Sequence, residues 1–354
     1  MYKKFFSILL IYTVFATVVT ARHKYDSAES VGYSDEYVVY VAGREGNVAV
    51  LWTNGVARNL TSGTNDAAAF SVFVSEDNTV YVAGFERNRE GISVATLWIN
   101  GVAKRLYEHP FETAARSVFV TGGDVYVAGH IHVGGTNWPI YWKNDEIVQL
   151  EAYADYPTST TSIFVAGSNV YLAGYDSHRP FFETNMRRGA DMGALLWEND
   201  DFDPIAIPGI ANCVLVSDDD VYIGGNDGNA ALWKNGETQE LDVTGHRAIT
   251  SVFVSGDDVY AVGRPFVGYW RTGQTINPDN GAFLWKNGVS KRLDSAPPNV
   301  VAGANSVVVI GNNVYVAGDE DGVATVWRNS EAPIRLGDQE KKNSVAESIF
   351  VHTR

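Results

Sequence analysis

Cysteine is almost absent from the sequence, since Cys213 is the only one among its 354 residues. A lone thiol excludes an intrachain disulfide and also a cysteine-based metal site. We therefore expect the fold to depend on its hydrophobic core and not on cross-links.

Basic residues are scarce as well. The chain has 27 lysines and arginines against 42 aspartates and glutamates, which gives a formal charge of −15. An acidic surface repels phosphate backbones and anionic headgroups. We therefore expect neither nucleic acid nor an anionic membrane as a partner.

Long hydrophobic runs are lacking except at the N-terminus, where Phe5–Thr20 follows two lysines and is closed by Ala21. This pattern is typical of a secretory signal peptide, and the run is shorter than the ~20 residues of a membrane span. We predict a signal peptide over 1–21, a leader over 22–36 and no membrane span. The protein would then be secreted or extracellular, or periplasmic or on the cell surface in a bacterium. A retained anchor is the alternative.

The sequence is rich instead in an internal repeat. The stretch SVFVSGDDVYAVG at Ser251–Gly263 returns in near-copies from Ser117, Ser162 and Ser306. Its tyrosine recurs at Tyr40, Tyr81, Tyr126, Tyr171, Tyr222, Tyr260 and Tyr315. A W-x-N triplet follows each one, at Trp52, Trp98, Trp142, Trp197, Trp233, Trp285 and Trp327. An aliphatic residue comes eight or nine positions later, at Leu60, Leu106, Leu150, Ile205, Leu241, Leu293 and Leu336. The mean period is about 46 residues.

Each repeat predicts four short strands, because its segments are β-branched or aromatic and end in turn residues. The first three strands are apolar at nearly every position, which indicates that both faces of each sheet are covered. Seven such units predict an all-β fold over 37–354. This fold is a single seven-bladed β-propeller of four-stranded antiparallel blades.

The VYVAG and WKNG segments resemble the propeller repeats of the broad kelch and WD-repeat kind, and also those of certain secreted repeat proteins. The resemblance covers nearly all of the chain after residue 21. The double glycine of kelch repeats and the Gly-His and Trp-Asp pairs of WD repeats are missing. The resemblance therefore implies the fold and no particular activity.

Closure of the ring has two candidate strands. The first unit has no good inner strand of its own, whereas the chain ends in an additional one at Ser348–Val351. We predict that this C-terminal strand completes the first blade and removes an open edge. Self-closure by Ser30–Tyr33 is the alternative.

Loop lengths indicate the working face. The connections between the first and second strands and between the third and fourth strands barely vary. The spacing from repeat tyrosine to repeat tryptophan ranges from 11 to 26 residues. Variable loops on a rigid scaffold usually carry binding, so we expect the ligand on the face where the second and third strands are joined.

Aromatic, arginine and histidine side chains in three of these variable loops are the candidate ligand contacts. They are His130, His132 and Trp138; Arg179, Phe181 and Phe182; and Arg264, Tyr269, Trp270 and Arg271. Trp270 is the best anchor because no strand register requires it, so Trp270→Ala should weaken binding and spare the fold. The alternative is that these rings pack within their own loops.

A second candidate set lies where the inner strands enter the channel, just before their first serine or cysteine. It comprises Phe70, Arg116, Thr161, Asn212, Thr250, Asn305 and Glu347. Most are polar, which suits a ligand site better than repeat packing. The adjoining serines are explained more simply as small residues at a crowded axis.

Catalytic and metal sites have little support in the sequence. His130 and His132 could share a metal, but no third ligand is apparent, and the acidic turns lack the spacing of a calcium loop. We assign no catalytic residue, no metal and no cofactor. Asn59 begins an Asn-Leu-Thr glycosylation sequon, which matters only in a eukaryotic host.

These features favour a secreted binding propeller that recognises a glycan or an extracellular protein surface. A polysaccharide-acting glycosidase or lyase and a structural matrix or coat protein are the alternatives. The sequence does not decide the oligomeric state.

Overall fold

The structure is a computed structural model and describes residues 36–107, 110–152, 157–176, 193–199, 207–243, 245, 247–265, 280–294, 300–329 and 331–354. The predicted signal peptide and all of the predicted leader except Glu36 lie outside this range. Within it, no helix is long and apolar enough to cross a membrane.

The described chain folds into 28 strands in seven four-stranded sheets. The first three blades contain β1 (Tyr37–Glu45), β2 (Val48–Thr53), β3 (Val56–Asn59), β4 (Ala67–Val74), β5 (Val80–Arg87), β6 (Ser93–Ile99), β7 (Val102–Arg105), β8 (Glu112–Thr121), β9 (Asp124–Val133), β10 (Thr136–Lys143) and β11 (Glu146–Gln149). Blades four and five contain β12 (Thr158–Ala166), β13 (Asn169–Asp176), β14 (Gly193–Glu198), β15 (Ile207–Pro208), β16 (Ile210–Ser217), β17 (Asp220–Asn226), β18 (Ala230–Lys234) and β19 (Glu237–Thr238). Blades six and seven contain β20 (Arg247–Ser255), β21 (Asp258–Pro265), β22 (Phe283–Lys286), β23 (Val289–Arg292), β24 (Ala302–Ile310), β25 (Asn313–Glu320), β26 (Val323–Arg328) and β27 (Ile334–Arg335).

The last strand, β28 (Ser344–Thr353), closes the ring. It is the inner strand of the first blade, in the order β28-β1-β2-β3, and it pairs antiparallel with β1 from Tyr37 to Glu45. The seven-bladed propeller and its C-terminal closure are therefore confirmed. The alternative strand Ser30–Tyr33 lies outside the described residues.

The repeat tryptophans form the core between blades. All seven are 0 to 3% exposed. Seven apolar clusters each join two neighbouring blades, as where Trp52 of the first blade packs with Tyr315 and Val326 of the seventh. Burial on both sheet faces explains why the inner three strands are apolar throughout.

The asparagine of each W-x-N triplet has a structural role. It lies at positive φ, between 47° and 56°, which asparagine tolerates better than most residues. Its side-chain oxygen accepts a hydrogen bond of 2.8–3.0 Å from the backbone N–H that begins the second strand. The triplet thus fixes the hairpin between strands three and four to strand two.

The repeat marker Ile205 lies outside the described residues. In the first blade the marker Leu60 donates its backbone N–H to the carbonyl of Ala49. The equivalent partner in the fourth blade is Ala194, which pairs with Ile207.

Candidate functional site

A β-bulge interrupts every inner strand at the same point. The pairing with the second strand skips one residue, so that residue is left out of the ladder and its side chain is re-aimed. The seven residues, called the bulge ring below, are Glu347, Phe70, Arg116, Thr161, Asn212, Thr250 and Asn305 in blade order. They are the same seven positions that the sequence singled out before the serines.

The bulge also explains the glycine of each VYVAG segment. At every bulge the carbonyl oxygen two residues before it lies 1.9–2.4 Å from where a Cβ of that glycine would be. No real Cβ fits at this distance, so only glycine permits the approach. The seven glycines are Gly43, Gly84, Gly129, Gly174, Gly225, Gly263 and Gly318.

The bulge ring surrounds a cavity of about 510 Å³ at the mouth of the central channel, called the axial cavity below. All seven bulge residues line it. It also contacts Asn137, Ser159 and Tyr175, near the joins of second and third strands. The cavity therefore opens on the face that the loop lengths predict.

A second ring of residues was missed as a set by the sequence reasoning. It comprises the residue after each VYVAG glycine: Arg44, Phe85, His130, Tyr175, Asn226, Arg264 and Asp319. Four of them, His130, Tyr175, Asn226 and Arg264, line the axial cavity. The signal was present in the repeat, because the chemistry at this position differs in almost every unit while the preceding glycine is constant.

The serine after each bulge is used for blade-to-blade bonding. Six serine hydroxyls accept hydrogen bonds of 3.1–3.3 Å from a backbone N–H in the next inner strand, as Ser71 does from Val118. Cys213 occupies the seventh position, and burial raises its thiol pKa to about 12. Beyond this layer Phe350, Phe73, Phe119 and Phe164 pack ring to ring, with centroids 4.7–5.1 Å apart.

Four bulge residues, called the bonded arc below, also link blades. Each donates a side-chain hydrogen bond to the backbone carbonyl just before the bulge of the next blade. The pairs are Thr161 to Ala211 at 2.8 Å, Asn212 to Ile249 at 2.7 Å, Thr250 to Ala304 at 2.7 Å and Asn305 to Ala346 at 3.0 Å.

The other three bulge residues, called the charged arc below, are consecutive around the ring and make no such link: Glu347, Phe70 and Arg116. The Arg116 guanidinium lies 4.5 Å from the centroid of the Phe70 ring. Arg116 makes no hydrogen bond or ion pair with any described residue. Glu347 accepts one long hydrogen bond, 3.4 Å, from the amide of Asn305.

Arg264, in contrast, is held by neighbours. It donates to Asn305 at 3.1 Å and lies 3.5 Å from the carboxylate of Asp319. Asp319 is 7% exposed, and its burial raises its pKa while Arg264 lowers it. Gly303 leaves room for this contact, because a Cβ there would meet the Arg264 side chain at 3.1 Å.

Burial shifts the pKa values of three ionisable groups that line the axial cavity. Burial raises the pKa of Glu347, with nearby Arg264 lowering it, and burial lowers the pKa of Arg116. The pKa of His130 falls to about 4, because it is buried and lies near the positive charge of Arg116. His130 is therefore neutral at physiological pH.

The predicted contact residues have different outcomes. Six of them, Arg116, His130, Asn212, Arg264, Asn305 and Glu347, line the axial cavity. Their binding role remains a prediction. Arg179, Phe181, Phe182, Tyr269, Trp270 and Arg271 lie outside the described residues.

The predicted loop placement is wrong for four residues, because His130 and His132 lie in β9, Trp138 in β10 and Arg264 in β21. His132 and Trp138 do not line the cavity, whereas His130 and Arg264 do. β9 and β10 stay paired up to a turn at Gly134–Gly135. The cross-strand pairing of these long strands extends the blade beyond the repeat.

Two smaller predictions concern metals and glycosylation. In the described part of the chain no group of three or more histidine, cysteine, aspartate or glutamate side chains could hold a metal ion. Nδ1 of His132 is 2.7 Å from the side-chain oxygen of Asn137. Asn59 is exposed at the end of β3, whereas Thr61 of its sequon is buried and accepts a hydrogen bond of 3.1 Å from the Ala49 N–H.

Comparisons with known proteins give likenesses of overall shape. No family model and no curated protein matches the chain. The WD40 propeller domain of Doa1 is 15% identical with a TM-score of 0.48, covering 88% of this chain and 96% of that one. The designed Ika8 protein is 16% identical with a TM-score of 0.44, covering 84% and 82%. Apo AztD from Citrobacter koseri is 11% identical with a TM-score of 0.44, covering 90% and 98%. The fold assignment above rests on the strand pairing of this chain.

Proposed function

We propose that the protein is a secreted, non-enzymatic binding module that holds a small hydrophilic ligand in its axial cavity. The observation that carries this proposal is the convergence of seven bulge side chains of five kinds on one cavity. The scaffold around them repeats almost without change. Blade-to-blade bonding accounts for the threonines and asparagines but not for Glu347, Phe70 and Arg116, and such variation on a fixed frame is typical of a binding site.

The size and lining of the cavity support a small ligand. Its volume, about 510 Å³, is within the ~300–1,000 Å³ typical of ligand pockets. Phe70 and Tyr175 offer rings, while amide and charged groups offer hydrogen bonds. A single sugar unit of a glycan has suitable dimensions and polarity, so the predicted glycan is one arm of the test.

The test is a thermal-shift and calorimetric screen of the purified protein with monosaccharides, amino acids and small organic acids. A ligand at about 100 times its Kd should stabilise the fold by about 2.7 kcal/mol. Tyr175→Ala should weaken binding, whereas Asp218→Ala in an exposed turn at the end of β16 should not. Binding that is unaffected by Tyr175→Ala, or no binding by any compound, would argue against the cavity as the site.

One observation supports a second function. Glu347 lines the cavity and Asp319 lies near it, and burial raises the pKa of both carboxyls. Acid–base hydrolysis of a glycoside uses one carboxyl group with a raised pKa together with a second, ionised carboxylate at a defined separation. Release of reducing sugar from a polysaccharide, abolished by both Glu347→Gln and Asp319→Asn, would establish this alternative.

A further inference from the structure

We propose that the axial cavity selects a zwitterion, a ligand that carries both an ammonium and a carboxylate group, and binds it at the charged arc of Glu347, Phe70 and Arg116. This inference rests on the proposed function and specifies the chemical class of its ligand. It comes from a division within the bulge ring that the repeat does not require.

The side chains of the charged arc donate no hydrogen bond to a described residue of the next blade. Four of the seven bulge residues donate to a carbonyl of the next blade. The three residues of the charged arc do not, although the next blade offers each of them a carbonyl just before its bulge. These carbonyls belong to Ala69, Ala115 and Thr160. Glutamate as a carboxylate and phenylalanine have no proton to donate, so these two cannot serve the fold as the bonded arc does. Arg116 has donors, but its guanidinium lies over the Phe70 ring and makes no hydrogen bond with a described residue.

The two charged residues of the arc differ from Arg264 in having no ion-pair partner within the described chain. Arg264 near the cavity lies 3.5 Å from Asp319, so this pair is neutral in sum. Arg116 and Glu347 make no ion pair with any described residue. Arg264, Arg44 and Arg116 act on Glu347 through space without contacting its carboxylate. The arc therefore presents one cation and one anion, on either side of Phe70, neither of which is held in an ion pair by a described residue.

The two opposite charges of the arc are complementary to those of a zwitterion. A ligand with one charge would satisfy one of these groups and leave the other enclosed and unpaired, which is costly. A ligand with both charges satisfies both. Its carboxylate accepts hydrogen bonds from the Arg116 guanidinium, and its ammonium donates to the Glu347 carboxylate.

The side chains of the charged arc are held in place before a ligand binds. The guanidinium of Arg116 rests on the Phe70 ring, and Phe70 is itself supported by Phe85 at a centroid distance of 5.8 Å. Asn305 contacts Glu347 on the other side. Side chains already held in place lose little conformational entropy when a ligand binds.

The test uses a series of amino acids that differ in the separation of their two charges. Glycine, β-alanine, 4-aminobutyrate and 6-aminohexanoate are titrated into the full chain by calorimetry, with butyrate and butylamine as singly charged analogues. We expect at least one zwitterion to bind at least about 10-fold more tightly than either analogue, since each added charge pair is worth that factor or more. The length of the zwitterion that binds most tightly indicates the distance between the Arg116 guanidinium and the Glu347 carboxylate.

Variants assign the two ends. Arg116→Gln should weaken the zwitterion about 10-fold or more and leave butylamine unchanged, and Glu347→Gln should weaken the zwitterion and leave butyrate unchanged. Arg58→Gln and Asp218→Asn, which alter exposed charges on β3 and in a turn after β16, are matched controls expected to have no effect. Circular dichroism of each variant confirms that it is folded.

The outcomes separate this inference from the proposed function. Equal binding of butyrate and 4-aminobutyrate would overturn the zwitterion and indicate an anion site. A neutral monosaccharide that binds in the cavity, with no amino acid competing, would overturn the zwitterion and keep the proposed function. No binding by any of these compounds would count against both.

Discussion

At the residue scale, one register position has two uses in this molecule. The bulge residue bonds to the next blade when it is threonine or asparagine, and it lines the axial cavity without such a bond when it is glutamate, phenylalanine or arginine. The backbone is the same in both cases. The residue type at this position therefore limits which blades can be linked by a bulge side chain.

Glu347 should contribute to the site at a cost in stability. Burial raises its pKa, so the folded protein holds this proton more tightly than the unfolded chain does. Stability is greatest below the unfolded pKa and decreases as pH rises through the folded pKa. Glu347→Gln should therefore raise the Tm at pH 7 relative to the parent, with the difference growing between about pH 4 and pH 7. Melting curves across this range test it, and a pH-independent difference would contradict the assignment.

Gly84 represents the seven glycines that face a bulge. A Cβ there would lie 2.0 Å from the carbonyl oxygen of Ala68, a backbone atom that cannot turn away. Gly84→Ala should lower the free energy of unfolding by about 1–3 kcal/mol or more, as overpacking does. Gly303→Ala is the comparison and should cost less in urea titrations, because a Cβ there would meet Arg264 side-chain atoms at 3.1 Å and not a backbone oxygen at 2.0 Å. If both variants lost the same free energy of unfolding, contact with the bulge would not explain why this position is glycine.

At the element scale, the hairpins of the third and fourth strands were the most predictable part of the fold. The W-x-N triplet predicts the turn, and the positive φ of the asparagine confirms it in all seven blades. The second role of that asparagine, its bond to strand two, could not be read locally because its partner is 14 to 29 residues away.

Asn287 tests both roles. Asn287→Ala loses the 2.8 Å bond from the Val259 N–H and the 2.8 Å bond to the Asp258 carboxylate, and it places a Cβ-bearing residue with no local polar contact at a φ of 51°. We expect a loss of about 1–3 kcal/mol from lost hydrogen bonding and backbone strain together. Asn287→Gly keeps the turn geometry and loses only the two hydrogen bonds, so it should cost less. If the two variants are equally stable in denaturant titrations, backbone conformation has no part in the preference for asparagine.

At the scale of the whole molecule, stability depends on closure of the ring. β28 supplies Ile349 and Val351 to the core between the first and seventh blades. Ser348 accepts a hydrogen bond from Val72 of the second blade, and Ile349 donates one to Ser306 of the seventh. One strand thus ties three blades together across the join between the two ends of the described chain.

Deleting Ser348–Arg354 should therefore cause a large loss of stability. The deletion opens the first blade along β1 and exposes an unpaired edge, which promotes aggregation. Size-exclusion chromatography and thermal melting measure the effect, with deletion of Arg354 alone as the control. A soluble monomer that melts at the parental temperature would mean that another segment closes the ring.

The sequence by itself determined the number of blades, the strands of each blade, the core tryptophans and the face on which the axial cavity opens. These follow from a repeat whose residues act within one hairpin or at a constant register. It also identified the seven bulge residues as a group. Tertiary structure alone decided their division, because whether Arg116 or Asn212 bonds to the next blade depends on atoms about one repeat away. It also decided that His132 and Trp138 extend a blade and that the second ring meets the cavity, since both depend on pairing between strands and on their convergence at the axis.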